Sequence, residues 1–153
     1  MSALWDLPMV FVIENNHYGM GTATSRSSCN DDYYTMGNTI PGIRINGMNV
    51  LAVKQGFSMV REHCASGKGP FYVEFDTYRY HGHSMSDPGT TYRTREEVGA
   101  VRQARDPIEY VKKLMIDEKL ATAEELKQVE KEIRSEVQEA LVAAKAGELY
   151  FSS

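Results

Sequence analysis

Two polar stretches hold most of the side chains that could do chemistry. The first reads Glu14-Asn15-Asn16-His17-Tyr18-Gly19-Met20-Gly21-Thr22. Asn side chains present neutral oxygens, and backbone carbonyls add others. Such hard oxygens suit Mg²⁺, which often bridges to phosphate oxygens. The glycines let the chain approach a ligand closely. Alone, an Asn pair after an apolar run also reads as a simple turn. The second stretch reads Arg79-Tyr80-His81-Gly82-His83-Ser84-Met85-Ser86-Asp87-Pro88-Gly89-Thr90-Thr91-Tyr92-Arg93 and carries two of the four histidines. Imidazole and guanidinium groups can contact a pyrophosphate, and a His also moves protons near neutral pH. Two His at i and i+2 could instead be metal ligands, but no Cys, Asp or Glu stands at a matching spacing for zinc. Ser84, Ser86 and Thr91 are phosphate-acceptor candidates. A phosphate added beside His83 would bring ~1.5 to 2 negative charges to the loop. Alone, this stretch also reads as a solvated surface segment.

Both stretches must be held by something stiffer. Residues 9 to 14 read as a strand: a continuous apolar run, Met9 to Ile13, ended by polar residues predicts a strand buried on both faces of a parallel sheet. The polar segment from Asn15 to about Pro41 is long for a loop within one domain, and such loops are usually functional. Ile43-Arg44-Ile45-Asn46 alternates and predicts a short strand. From about 50 to 66 a helix is expected, with Val53, Phe57, Val60 and Cys64 on one face and Gly67 as its C-terminal cap. Residues 71 to about 78 predict a second strand, with Phe71, Val73 and Phe75 on one side. The order strand, loop, helix, strand points to an open parallel α/β sheet, in which ligands bind beyond the C-terminal strand ends. Three helices follow the second loop. Thr94 with Glu97 marks a capping box, Asp106 before Pro107 marks an N-cap with Pro at N1, and Thr122 with Glu125 marks another box. In the last helix Leu126, Val129, Ile133, Val137, Leu141 and Ala144 form a stripe expected to pack on the sheet or on a partner.

Bulk composition narrows the class. The chain has 153 residues, 42% hydrophobic and 25% charged, an ordinary balance for one globular domain. A net charge of −4 provides no basic face for nucleic acid. The longest apolar run, Met9 to Ile13, is far short of a membrane span. Cys29 and Cys64 stand apart and form no CxxC pair, so free thiols are expected rather than a disulfide scaffold or structural zinc.

Taken together and in this order, the two stretches resemble one family. Glu14-Asn15-Asn16-x-Tyr18-Gly19-Met20-Gly21-Thr22 resembles the second half of the thiamin diphosphate motif in alpha subunits of 2-oxo acid dehydrogenases. The run from Tyr78 to Gly89, followed by Thr91-Tyr92-Arg93-Thr94-Arg95-Glu96-Glu97, resembles the regulatory loop of the mitochondrial pyruvate dehydrogenases of that family. The likeness extends to Ile40-Pro41-Gly42 and Ser66-Gly67-Lys68-Gly69-Pro70. Branched-chain relatives read differently at both loops.

The resemblance implies a partial thiamin-diphosphate-binding fold, α/β, with a parallel sheet flanked by helices. Residues 1–153 would be the C-terminal half of one such domain, and 94–147 its helical segment. It implies oxidative decarboxylation of pyruvate with thiamin diphosphate and Mg²⁺, and acetyl transfer to lipoamide. Asn16 would ligate Mg²⁺ through its side chain and Tyr18 through its carbonyl, both thus binding the cofactor. His83 would reach the cofactor and assist acyl transfer as the catalytic residue. Ser84 matches the main inhibitory phosphorylation site and Thr91 a second, whereas a third would fall at Ala23, beside Thr24 and Ser25. Implied partners are a beta subunit in an α2β2 assembly, the lipoyl domain of the acetyltransferase component, and a regulatory kinase and phosphatase, with no role for nucleic acid or membrane. The implied location is the mitochondrial matrix. The family's motif opens with a Gly-Asp-Gly whose Asp ligates Mg²⁺, and this chain does not contain it. The chain alone is therefore expected to be inactive, to expose apolar surface where strands are missing, and to self-associate. The alternative is a non-catalytic module for subunit assembly or for presenting the loop to a kinase.

Overall fold

A computed structural model describes residues 1–147 of the chain; the last residues of the 1–153 domain expectation lie outside them. The strands are β1 (Val10–Asn15), β2 (Tyr18–Gly19), β3 (Thr22–Ala23), β4 (Gly42–Asn46) and β5 (Phe71–Asp76). The helices are α1 (Thr24–Ser27), α2 (Val50–Ala65), α3 (Arg95–Arg105), α4 (Pro107–Asp117) and α5 (Ala123–Ala146), with a 3₁₀ turn at Tyr33–Thr35. Two compact units are resolved, Met1–Tyr110 and the remainder from Val111.

In the first unit β5 lies between β1 and β4, and both pairings are parallel. The predicted open parallel α/β sheet is thus present, flanked by helix. Register places Val12 beside Val73 and Val73 beside Ile43, so these residues share one face. That face packs on α2: Ile45, Val60, Cys64, Phe71 and Val73 form the core, with Val10, Ala52, Val53 and Phe75 against it. The helix presents Ala52, Gly56 and Val60 to the sheet rather than a face centred on Phe57. A Cβ on Gly56 would lie 2.4 Å from Ile45 Cδ1, so glycine is what lets helix and strand close up. Phe57, expected inside, is exposed at the rim. β1 also departs from expectation. Val12 is 48% exposed, because β1 is an edge strand paired on one side only and is not buried on both faces.

The opposite face is covered by the long polar segment. Tyr34 and Gly37 lie on it, and the Cβ of any other residue at Gly37 would sit 2.5 Å from the Tyr72 ring. Asn15, Asp76 and Asn46 are register partners across the sheet. The three strands therefore end in one row, and both chemistry-bearing loops leave from it.

Helix ends follow the sequence signals. Asn49 caps α2 through Leu51 N and Ala52 N, and Gly67, at φ +76°, closes its C-terminus with a bond to Cys64 O. Thr94 Oγ1 accepts the Glu97 N–H at 3.1 Å, but the return bond from the Glu97 side chain is not made, so the capping box expected there is only half formed; Asp106 accepts from Ile108 and Glu109 at 2.9 and 3.2 Å. In the second unit Thr122 and Glu125 form a full reciprocal capping box, and Lys112 pairs with Glu130, tying α4 to α5. Val129, Ile133, Val137 and Leu141 of the α5 stripe are exposed. Among the described residues no helix is long and apolar enough to cross a membrane.

Candidate functional site

The chain leaves β1 through two successive Asx turns. Asn15 Oδ1 accepts the His17 N–H at 2.9 Å, and Asn16 Oδ1 accepts the Tyr18 N–H at 3.1 Å. Within these turns His17 takes φ +67°, and in the β2–β3 turn Met20 takes φ +55°, a region that non-glycine residues enter only when neighbours enforce it. Enforcement at His17 comes also from its ring, whose Nε2 lies 2.5 Å from Asp76 Oδ1. Arg105 reaches the other oxygen of Asp76 at 3.2 Å. The turns hand over to the β2–β3 hairpin, in which Tyr18 pairs with Ala23. Asn16 and Tyr18, the two candidate metal ligands, are therefore brought together by local hydrogen bonds. Both are half-buried.

The second loop is organised by Asp87. Its carboxylate accepts from His83 N, Gly89 N and Tyr92 Oη, each at 2.8 Å. The His83 N–H bond above all, then those from Tyr92 and Gly89, holds this carboxyl at about 2, well below its ordinary 3.8. Gly82 is obligatory here, since a Cβ would lie 1.8 Å from Asp87 O. His83, Ser84 and Thr91 are all exposed, and Ser84 shares a 3.0 Å hydrogen bond with Ser86.

Two arginines bind the loops to one another. Arg79 donates to Met20 O at 2.6 Å, to Tyr92 Oη at 2.7 Å and, at 3.5 Å, to Tyr18 O. Arg93 is 3% exposed and lies over the rings of Tyr18, Tyr78 and Tyr92, at 5.2 to 5.5 Å. It donates to Arg79 O and to His81 O. These two guanidiniums are thus engaged with carbonyls and rings, not free for a pyrophosphate as the composition of the loop suggested. Gly21 allows the approach, because a Cβ there would meet the Tyr92 ring at 3.1 Å. Sequence reasoning missed Arg79, Asp87, Tyr92 and Arg93 as organisers, and missed Glu74 altogether. Glu74 is fully buried and accepts from Asn15, Tyr34 N and Arg44.

The chemistry of the candidate ligands fits a hard cation in part. Asn16 Oδ1 and Tyr18 O are neutral oxygens at the C-terminal end of a strand, each with a second lone pair. Among the described residues no group of three or more His, Cys, Asp or Glu is placed to hold a metal ion.

The profile of the dehydrogenase E1 component matches residues 1–149, nearly the whole chain. The chain belongs to this family. Among its relatives, the mitochondrial pyruvate dehydrogenase E1 component subunit alpha of Pisum sativum is 58% identical over 145 residues, 95% of this chain and 36% of its own length. A probable counterpart from Caenorhabditis elegans is 57% identical over 144 residues, 94% of this chain and 36% of its own. The testis-specific human form is 54% identical over 140 residues, 92% and 36%. The chain therefore spans little more than a third of the length of these E1 alpha relatives.

Proposed function

We propose that this E1 chain is part of the alpha subunit of a mitochondrial pyruvate dehydrogenase. The assembled enzyme would decarboxylate pyruvate oxidatively and pass the acetyl group to lipoamide. The observation that carries the reading is the joining of the two loops at one end of the sheet through Arg79 and Tyr92, in a chain 54–58% identical to E1 alpha subunits.

Asn16 Oδ1 and Tyr18 O would hold Mg²⁺, which would neutralise the cofactor's pyrophosphate. Bound thiamin diphosphate would supply the nucleophilic carbon and the electron sink for loss of carbon dioxide. The chain's own residues position and regulate. Asp87 and Arg93 shape the loop so that His83 stands at its exposed surface, where it would serve the acyl transfer. Ser84 and Thr91 would accept regulatory phosphate. A phosphate on Ser84 would put ~1.5 to 2 negative charges near the Asp87 carboxylate, whose own backbone N–H bonds Ser84 O at 3.0 Å, and repulsion would loosen the loop. Partners would be a beta subunit in an α2β2 assembly, a lipoyl domain, a kinase and a phosphatase, in the mitochondrial matrix.

A second reading, a non-catalytic assembly or kinase-substrate module, is supported by the exposure of Ser84 and of Val129, Ile133, Val137 and Leu141 along α5. One assay separates the two. A full-length alpha subunit carrying these residues is combined with a beta subunit. Carbon dioxide release is then measured from pyruvate and from 3-methyl-2-oxobutanoate. Pyruvate-selective release that Asn16→Ala abolishes supports the first reading; a folded assembly inert to both substrates supports the second.

A further inference from the structure

The deepest ionisable side chain in the first unit has no part in the function proposed above. Glu74, in the middle strand β5, is 0% exposed. Asn15 Nδ2 donates to its Oε1 at 2.8 Å, and Tyr34 N donates to its Oε2 at 3.0 Å. Arg44 Nη2 lies 3.1 and 3.3 Å from the two oxygens. Burial opposes the charge on Arg44, but Glu74 and then Asp32 outweigh it and raise the guanidinium above its ordinary value. A buried ion pair is weak support for stability, since desolvation offsets most of the attraction. A fixed carboxylate in this place does something more specific.

A carboxylate only accepts hydrogen bonds. Asn15 must therefore turn its NH₂ toward Glu74, which leaves its carbonyl oxygen facing the His17 N–H, where it accepts at 2.9 Å. The reverse orientation would set oxygen against oxygen at Glu74 and donor against donor at His17. The Asn15–His17 turn is one of the constraints on His17 at φ +67°. The direction of the next residues depends on that turn, including the second Asx bond from Tyr18 N to Asn16. We propose that Glu74 is the positioning residue that sets the Asn15 amide and, through it, aims the oxygens of Asn16 and Tyr18. That these oxygens serve a cation rests on the functional reading above; the positioning does not.

Glu74→Gln is the decisive variant, because it preserves shape while adding a donor. Arg44 lies near both oxygens, so the choice for a Gln NH₂ falls between the Tyr34 backbone N–H, which cannot turn away, and the Asn15 amide, which can flip. The NH₂ therefore turns toward Asn15 and flips that amide, removing the acceptor from His17. Amide hydrogen exchange of the 153-residue chain, read by NMR, is expected to speed about five- to tenfold at His17, the loss of one hydrogen bond. The amides of Val60 and Val73 in the core should keep their rates. Unchanged exchange at His17, or acceleration only in step with Val60 and Val73, overturns the proposal. The wild-type chain gives a test that does not depend on the variant's folding: the Asn15 side-chain NH₂ should show NOEs to the Glu74 methylenes and none to the His17 amide, and the opposite pattern overturns the idea. Mn²⁺ is the metal probe. Broadening of Asn16 and Tyr18 in the wild type that weakens in Glu74→Gln extends the role to the cation. No broadening in either, with the exchange result intact, counts against the cation reading alone and leaves the positioning standing.

Discussion

Arg93→Met should loosen the second loop more than any change on its surface. The buried guanidinium donates to the carbonyls of Arg79 and His81. Hydrogen bonds from a charged donor contribute about 1.5–3 kcal/mol each. Its Cζ lies 5.2 Å from the Tyr78 and Tyr92 centroids and 5.5 Å from that of Tyr18, where cation–π attraction adds about 0.5–2 kcal/mol. Against these stands the desolvation cost of a buried charge, which the neutral Met removes. The net expectation is a loss of about 2–4 kcal/mol, large for one substitution. Arg93→Lys keeps the charge but not the planar fork, and should lose about 1–2 kcal/mol; it is the variant to read if Arg93→Met does not fold. The assay is urea unfolding, with the slope against denaturant as a check that the transition stays two-state. Limited proteolysis between Tyr80 and Tyr92 locates the damage. A shift within about 0.5 kcal/mol for Arg93→Met, with cleavage in this loop no faster than in the wild type, would refute the clamp.

Asp87 gives a pH prediction. Its folded value, about 2, lies below the ordinary 3.8, so its stabilisation is complete above the unfolded value and disappears as pH falls through about 2. The His83 and Gly89 amide proton shifts should titrate with a midpoint near 2 and stay flat in Asp87→Asn; a midpoint at the ordinary value would contradict the three hydrogen bonds. Thr122→Ala removes the capping box of α5 and should lower stability by about 1 kcal/mol, read as a fall in helical circular dichroism at intermediate urea. Under the proposed function, Ser84→Glu in a full-length alpha subunit combined with a beta subunit should lower pyruvate decarboxylation; normal turnover would count against the charge mechanism.

What could be read in the chain were the features coded locally. Asp106-Pro107, Thr122 with Glu125, and Gly67 are helix-end signals whose partners lie within a few residues, and each is used as read. The strand and helix order followed from apolar periodicity for the same reason. Errors arise where a face is decided by something distant. The spacing of α2 admits Phe57 or Gly56 toward the sheet, and only the Ile45 side chain of β4 selects Gly56. The run at β1 looks equally buried whether or not a further strand lies beside it, so the exposure of Val12 had no local sign. The candidate site divides in the same way. The Asx turns at Asn15 and Asn16 are short-range, and the resemblance drew attention to that loop. The bond from Arg79 to Met20 crosses 59 positions, as does that from Asn15 to Glu74. Neither a guanidinium in a polar loop nor a lone Glu in an apolar strand announces its partner. In β5, though, Glu74 occupies a position flanked by Val73 and Phe75, where a charge is costly without compensation. An acidic residue inside a strand that reads as buried is therefore a signal in itself. It asks which donors the fold brings to it, and here the answer leads straight to the residue beside Asn16.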